Sequence, residues 1–129
     1  MAAQRAKIYV IDDDEIVRDS LKALFEAHDF IVAEFGSGLE FLRSQDSIEI
    51  DCLVLDIHMP EMTGLELLKE LRNRGEQVPA ILITGRSNAA AEVAAKALGA
   101  VALLDKPIAH PMLFDALKRA LAARATWRA

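Results

Sequence analysis

Carboxylates, a hydroxyl and an ammonium stand where the short apolar runs of this chain stop. KIYVI (7–11) runs into Asp12, Asp13 and Asp14, and CLVL (52–55) runs into Asp56. AILI ends in Thr84, followed by Gly85 and Arg86; VALL ends in Asp105, Lys106 and Pro107. Adjacent carboxylates repel and raise each other's pKa unless a cation lies between them. Asp12 and Asp13 carry that cost, and Asp56, at the tip of the most apolar segment, carries one like it. Three acids at one mouth make a hard oxygen site suited to Mg²⁺, which takes a few carboxylates and keeps several waters. Taken singly, each residue has a plainer reading: Asp14 is a helix N-cap, and Thr84 or Lys106 is a solvated loop residue. The chemistry therefore depends on whether the fold brings them together.

The elements that must do so alternate along the chain. KIYVI (7–11), FIVAEF (30–35), CLVL (52–55), AILIT (80–84) and VALL (101–104) read as strands. Helical patterns lie between them, as with Val17, Leu21, Leu24 and Phe25 at i, i+4, i+7 and i+8. Ser37 with Glu40, and Thr63 with Glu66, are capping-box signatures. Gly75 and Gly99 fall just past helical stretches, where a left-handed cap favours a residue with no Cβ. Pro111 sits at a first-turn position of the last helix. Five β-α repeats imply parallel pairing by right-handed crossovers, with helices on both faces of the sheet. KIYVI, CLVL and AILIT lack polar alternation and read as central strands; FIVAEF, with Glu34, reads as an edge. In such a sheet, ligands bind beyond the carboxyl ends of the strands, which is where the charged residues stand.

IDDDEIVR, LDIHMPEMTG, ILITGR and LLDKP, in that order and spacing, resemble the receiver domain of bacterial two-component response regulators. The wording is nearest the nitrogen-fixation regulator type, whose receivers usually precede a helix-turn-helix domain. The resemblance implies a flavodoxin-like (βα)5 fold with sheet order 2-1-3-4-5, and one domain over 1–129. The core is expected at about 7–122, with 123–129 either the frayed end of the last helix or a truncated linker. It also implies roles. Asp56 would be the phosphoacceptor. Asp12, Asp13, Asp56 and the backbone carbonyl of His58 would hold Mg²⁺. Lys106 would pair with the phosphoryl oxygens, and Thr84 would be the switch hydroxyl. Met59-Pro60 and Gly64 would shape the acceptor loop, and the Lys106–Pro107 peptide would be cis. The donor would be a phosphohistidine of a sensor histidine kinase. These roles agree with elementary electrostatics: a carboxylate attacks a phosphoryl group poorly because both are anionic, and Mg²⁺ with Lys⁺ would offset that repulsion.

The chain departs from the family pattern in places. Leu103 replaces the aromatic usual three residues before the lysine, which puts the aromatic half of the switch in question while leaving phosphorylation intact; the plainer reading is a leucine that packs on the sheet, and Tyr9 and Phe114 lie elsewhere and do not substitute by position. His58 and Arg86, two residues after Asp56 and Thr84, flank the path of attacking water and are candidates for tuning phosphoaspartate lifetime. The alanine-rich SNAAAEVAAKALG helix offers only Val93 and Leu98 as large apolar groups, so its packing should be thin. The face of the fourth helix, fifth strand and fifth helix is the expected site of dimerisation on phosphorylation.

The bulk properties narrow the remaining classes. At 129 residues the chain has the length of one domain, and a net charge of −5 leaves no basic field for nucleic acid or an anionic membrane. Its one cysteine, Cys52, leaves no internal disulfide and reads as a core hydrophobe in a reducing compartment. No apolar run approaches the ~18 residues of a membrane span, which makes cytoplasm the expectation. A phosphatase using an aspartyl nucleophile would want a second acid where His58 stands. A phosphate-independent adaptor of the same fold would have no need of all five site residues.

Overall fold

A computed structural model describes residues 5–44 and 50–128. The elements run β1 (Lys7–Ile11), α1 (Glu15–Ala27), β2 (Ile31–Phe35), α2 (Gly38–Ser44), β3 (Cys52–Asp56), α3 (Gly64–Asn73), β4 (Ala80–Thr84), α4 (Ala89–Ala97), β5 (Ala102–Asp105) and α5 (His110–Arg128). All strand pairings are parallel, and the order is β2-β1-β3-β4-β5, the flavodoxin-like arrangement the sequence implied. β2 is an edge, as its glutamate suggested, and β5 is the other.

The period-two alternation of each strand divides the core in two. Tyr9, Ile11, Leu53, Leu55 and Leu82 face α2, α3 and α4, meeting Phe41, Leu67, Leu68, Leu71 and Ala95. Ile8, Val10, Cys52, Val54, Ile81 and Ile83 face α1 and α5, meeting Leu21, Phe25, Leu113 and Leu117. β3 and β4 are buried at every residue, which is why CLVL and AILIT read as continuous apolar runs.

Helix termini follow the sequence closely. Asp14 caps α1 by accepting from the Ile16 and Val17 N–H groups. Thr63 and Glu66 form the full reciprocal box on α3. The box expected at Ser37 and Glu40 is only half made. The Ser37 hydroxyl accepts from the Glu40 N–H at 3.0 Å, but the Glu40 carboxylate reaches Gly36 N–H at 3.3 Å instead of that of Ser37. Gly75 and Gly99 take φ of +84° and +72°. Each closes its helix with the paired carbonyl bonds of a Schellman turn, from Gly75 and Glu76 on α3 and from Gly99 and Ala100 on α4. Asp29, with φ of 68°, does the same for α1.

The stretch from 123 through 128 continues α5 as helix. Arg124 there reaches the buried Asp51 at 3.1 Å, and Asp51 also accepts from the Lys7 N–H at 2.7 Å, tying α5 to the amino end of the sheet. No helix among the described residues is long and apolar enough to cross a membrane.

Candidate functional site

Asp12 follows β1 and Asp56 ends β3; these neighbouring strands are in register from Ile8↔Cys52 to Ile11↔Leu55. Both acids are nearly fully buried, at 1% and 3% exposure, and Asp13 is exposed beside them. One carboxylate oxygen from each of the three lies within 4.8 Å of the others. Lys106, just past β5, brings its ammonium 3.2 Å from Asp12 Oδ2 and 3.6 Å from Asp56 Oδ2. Asp12 Oδ1 accepts from the Asp14 N–H at 2.9 Å, whereas Asp12 Oδ2 is buried with no hydrogen bond. The Lys106 ammonium at 3.2 Å is its ion-pair partner.

These groups perturb one another. Burial of Asp56, reinforced by the negative charge of Asp12 and more weakly of Asp13, pushes its pKa from 3.8 up to about 6; Lys106 and the His58 N–H oppose that rise. Burial alone would lower the Lys106 pKa, but Asp12 and Asp56 outweigh it and hold the ammonium above its ordinary range. Three buried or mouth-side carboxylates with an unsatisfied oxygen fit a hard divalent cation by their donor set.

Backbone bonds pin the loop that follows Asp56. Ile57 N–H extends the β3–β4 ladder to Ile83 O at 2.8 Å, and Gly64 N–H returns to Ile57 O at 2.9 Å. A Cβ at residue 64 would collide with the backbone of Asp56 and Ile57, so a glycine is required for α3 to start this close to the acid. Met59 is buried and Pro60 exposed in the same loop. The Lys106–Pro107 peptide is cis, and Lys106 N–H donates to Thr84 O at 2.8 Å, tying the β5 end to β4.

Thr84, His58 and Arg86 form a second group at the same end of the sheet. Thr84 is fully buried; its hydroxyl lies 3.0 Å from His58 Nε2, 3.0 Å from Arg86 O, and accepts from the Arg86 N–H at 3.1 Å. The His58 and Arg86 side chains are exposed. Leu103 is half-buried, registered with Leu82 and packed on the α3–α4 side of the core. Tyr9 stacks with Phe35 and Phe41, and Phe114 packs with Phe25 and His28, so both rings are engaged elsewhere.

Two supports escaped sequence reasoning. Arg18 donates to Asp12 O at 2.7 Å and to Glu34 at 3.1 Å, bracing the acid pair against the edge strand. Asp105 accepts from the Ser87 N–H at 3.1 Å and its hydroxyl at 3.3 Å, holding the β4–α4 loop to β5. The position of Arg18 four residues after Asp14, on the first turn of α1, was the available signal for the former. Ser87 and Asp105, 18 residues apart, carry none.

A doubly wound parallel sheet with buried acids, a lysine and a threonine at one end defines an acid-pocket phosphoacceptor switch. Residues 8–118 match the response regulator receiver domain family, and the chain belongs to it. It is 36% identical over 121 residues to the response regulator protein TmoT of Ectopseudomonas mendocina, covering 94% of this chain and 55% of that protein. It is 38% identical over 114 residues to the transcriptional regulatory protein FixJ of Azorhizobium caulinodans, covering 88% and 54%. The Vibrio cholerae chemotaxis protein CheY4 superposes with a TM-score of 0.84 at 27% identity, over 92% of this chain and 100% of that one. The chain spans about half the length of the curated relatives it matches. Receiver domains are phosphoacceptor signalling switches of two-component systems that work with sensor histidine kinases and bind Mg²⁺ at an acidic pocket, and generally serve as switches rather than as catalytic enzymes.

Proposed function

We propose that Asp56 of this chain accepts a phosphoryl group from the phosphohistidine of a sensor histidine kinase. The observation that carries the assignment is the convergence of Asp12, Asp13 and Asp56 within 4.8 Å, with Lys106 at ion-pair distance from two of them. In the transfer, the phosphorus–nitrogen bond of the donor breaks, an Asp56 oxygen–phosphorus bond forms, and the imidazole leaves. With a pKa of about 6, the Asp56 carboxylate is mostly ionised at neutral pH and available as the nucleophile. Asp12, Asp13, Asp56 and the His58 backbone carbonyl would hold Mg²⁺, which when bound offsets the repulsion between the acid and the incoming phosphate. Lys106 pairs with the phosphoryl oxygens, and the Thr84 hydroxyl moves to donate to one of them. Leu103, lacking an aromatic ring, follows that movement only by packing.

The whole chain serves as a single receiver in the cytoplasm, controlling an output such as transcription. Phosphorylation shifts α4 and promotes homodimerisation through α4, β5 and α5; neither nucleic acid nor membrane is a direct partner. His58 and Arg86 flank the water path and lengthen phosphoaspartate lifetime, so His58→Asn or Arg86→Ala should speed dephosphorylation.

Acetyl phosphate with Mg²⁺ tests the assignment. One phosphoryl group per chain is expected by intact mass, together with dimerisation in light scattering at high micromolar concentration. Incorporation at the wild-type level in Asp56→Asn would rule out this acceptor, and a phosphorylated protein that stays monomeric would rule out the dimer.

A further inference from the structure

We propose that the His58 ring is a positioning residue that latches the Thr84 hydroxyl in its resting orientation, so that it sets how readily the domain switches. The proposal rests on the reading of Asp56 as phosphoacceptor and Thr84 as switch hydroxyl, and it adds a group that opposes the switch.

A hydroxyl has one proton and two lone pairs. Around Thr84 Oγ1 stand one N–H donor (Arg86 N, 3.1 Å), one carbonyl (Arg86 O, 3.0 Å) and one imidazole nitrogen (His58 Nε2, 3.0 Å). All three are satisfied together in one way: the hydroxyl donates to Arg86 O and accepts from Arg86 N–H and from His58 Nε2–H. That set consumes its whole capacity. A phosphoryl oxygen on Asp56 can gain the Thr84 proton only if the hydroxyl surrenders Arg86 O, and when the Thr84 side chain swings toward Asp56 its oxygen leaves His58 Nε2 as well.

The backbone that carries the ring is fixed in place. The Ile57 N–H bond to Ile83 O keeps the residue before His58 against β4, one position short of Thr84, while His58 N–H is drawn to Asp56 Oδ1 at 3.3 Å. His58 therefore leaves the same backbone segment that bears the acceptor and crosses to the neighbouring strand's hydroxyl. On the far side, Arg86 precedes Ser87, which Asp105 holds to β5. The resting contacts thus run from the acceptor loop through Thr84 into the β4–α4 loop. A ligand shifts such an equilibrium only by its differential interaction with the two states, and a bond made only in the resting state subtracts from that difference.

Beryllofluoride with Mg²⁺, titrated against the Thr84 and β4–α4 loop signals in NMR, reads the equilibrium directly. His58→Phe keeps the ring and removes the donor, and should tighten apparent beryllofluoride binding about threefold to tenfold, the span of one hydrogen bond. His58→Gln, whose amide reaches about as far as Nε2, should return it to the wild-type value. In a Thr84→Val background, His58→Phe should change nothing, which separates a latch on the hydroxyl from a general loosening of the loop. The latch is overturned if His58→Phe leaves binding unchanged or weaker, or if it acts equally in Thr84→Val. A wild-type protein that gives no Mg²⁺-dependent response removed by Asp56→Asn overturns the phosphoacceptor reading and the latch with it.

Discussion

α3 and α4 are built from the same local signals and are docked in opposite ways. Each begins at a side-chain N-cap, Thr63 or Asn88, and each closes on a left-handed glycine, Gly75 or Gly99. α3 then buries Gly64, Leu67, Leu68 and Leu71, whereas α4 buries only Ala95 and leaves Val93 69% exposed. A fully buried leucine stabilises by about 1.5–3 kcal/mol, and α4 has none. Local specification and tertiary anchoring are therefore separate properties of a helix. The distinction matches the two loops that precede the helices. α3 starts against the backbone of Asp56 and cannot move without moving the acid, while α4 follows Thr84 and is tied down by polar contacts, Ser87 to Asp105 and Arg72 to the Leu98 carbonyl at 2.9 Å, rather than by buried apolar side chains.

Core truncation tests this contrast most severely. Leu68→Ala, at a fully buried position on α3, should cost about 2–5 kcal/mol in urea unfolding. Val93→Ala on α4 should stay within about 0.5 kcal/mol. Comparable losses from the two would mean that α4 is anchored as firmly as α3.

A smaller effect is expected at the acid that α3 positions. The folded pKa of Asp56 lies above its ordinary 3.8, at about 6, so between these values the folded state binds more protons than the unfolded one. Stability from this group is then fully present below about pH 4 and lost as pH rises through about 6. Without divalent ions, Asp56→Asn should stabilise the protein at pH 7 by about 1–3 kcal/mol, taking about 1.4 kcal/mol per pKa unit, and make little difference at pH 4. Mg²⁺ should narrow the gap at pH 7 by stabilising the wild type alone. Denaturant melts at both pH values check this; a variant less stable than wild type at pH 7 would show that Asp56 sits comfortably as an anion without metal.

Much of this arrangement was legible in the residues. Apolar runs ending in charge located the site, because a parallel sheet puts all its carboxyl ends on one edge. Unbroken runs marked β3 and β4 as central, and the glycines marked the ends of α3 and α4. The His58–Thr84 contact was not legible: it joins residues 26 apart through strand register and a ring orientation that no local pattern encodes. Asp29 occupies a left-handed cap without being glycine. Glu40 reaches past its expected partner to the Gly36 N–H. In each case a tertiary or steric detail, rather than propensity, decided the outcome.

The finest test of the α3–α4 contrast compares their caps. Asn88 Oδ1 accepts from the Ala91 N–H at 2.8 Å, and Thr63 Oγ1 accepts from the Glu66 N–H at 3.1 Å. Removing either should cost its helix about 1 kcal/mol. In α3, opening the first turns exposes Leu67 and Leu68, so Thr63→Ala should lower global stability by nearly the full amount. In α4 the helix can fray while the sheet stays intact, so Asn88→Ala should leave global stability almost unchanged. Its cost should appear instead as a roughly fivefold faster hydrogen exchange of the α4 amides from Val93 onward, the rate equivalent of about 1 kcal/mol in a local opening. If those amides exchange only through global unfolding, α4 belongs to the same cooperative unit as α3. The switch would then have to move against the whole core rather than at its loosest edge.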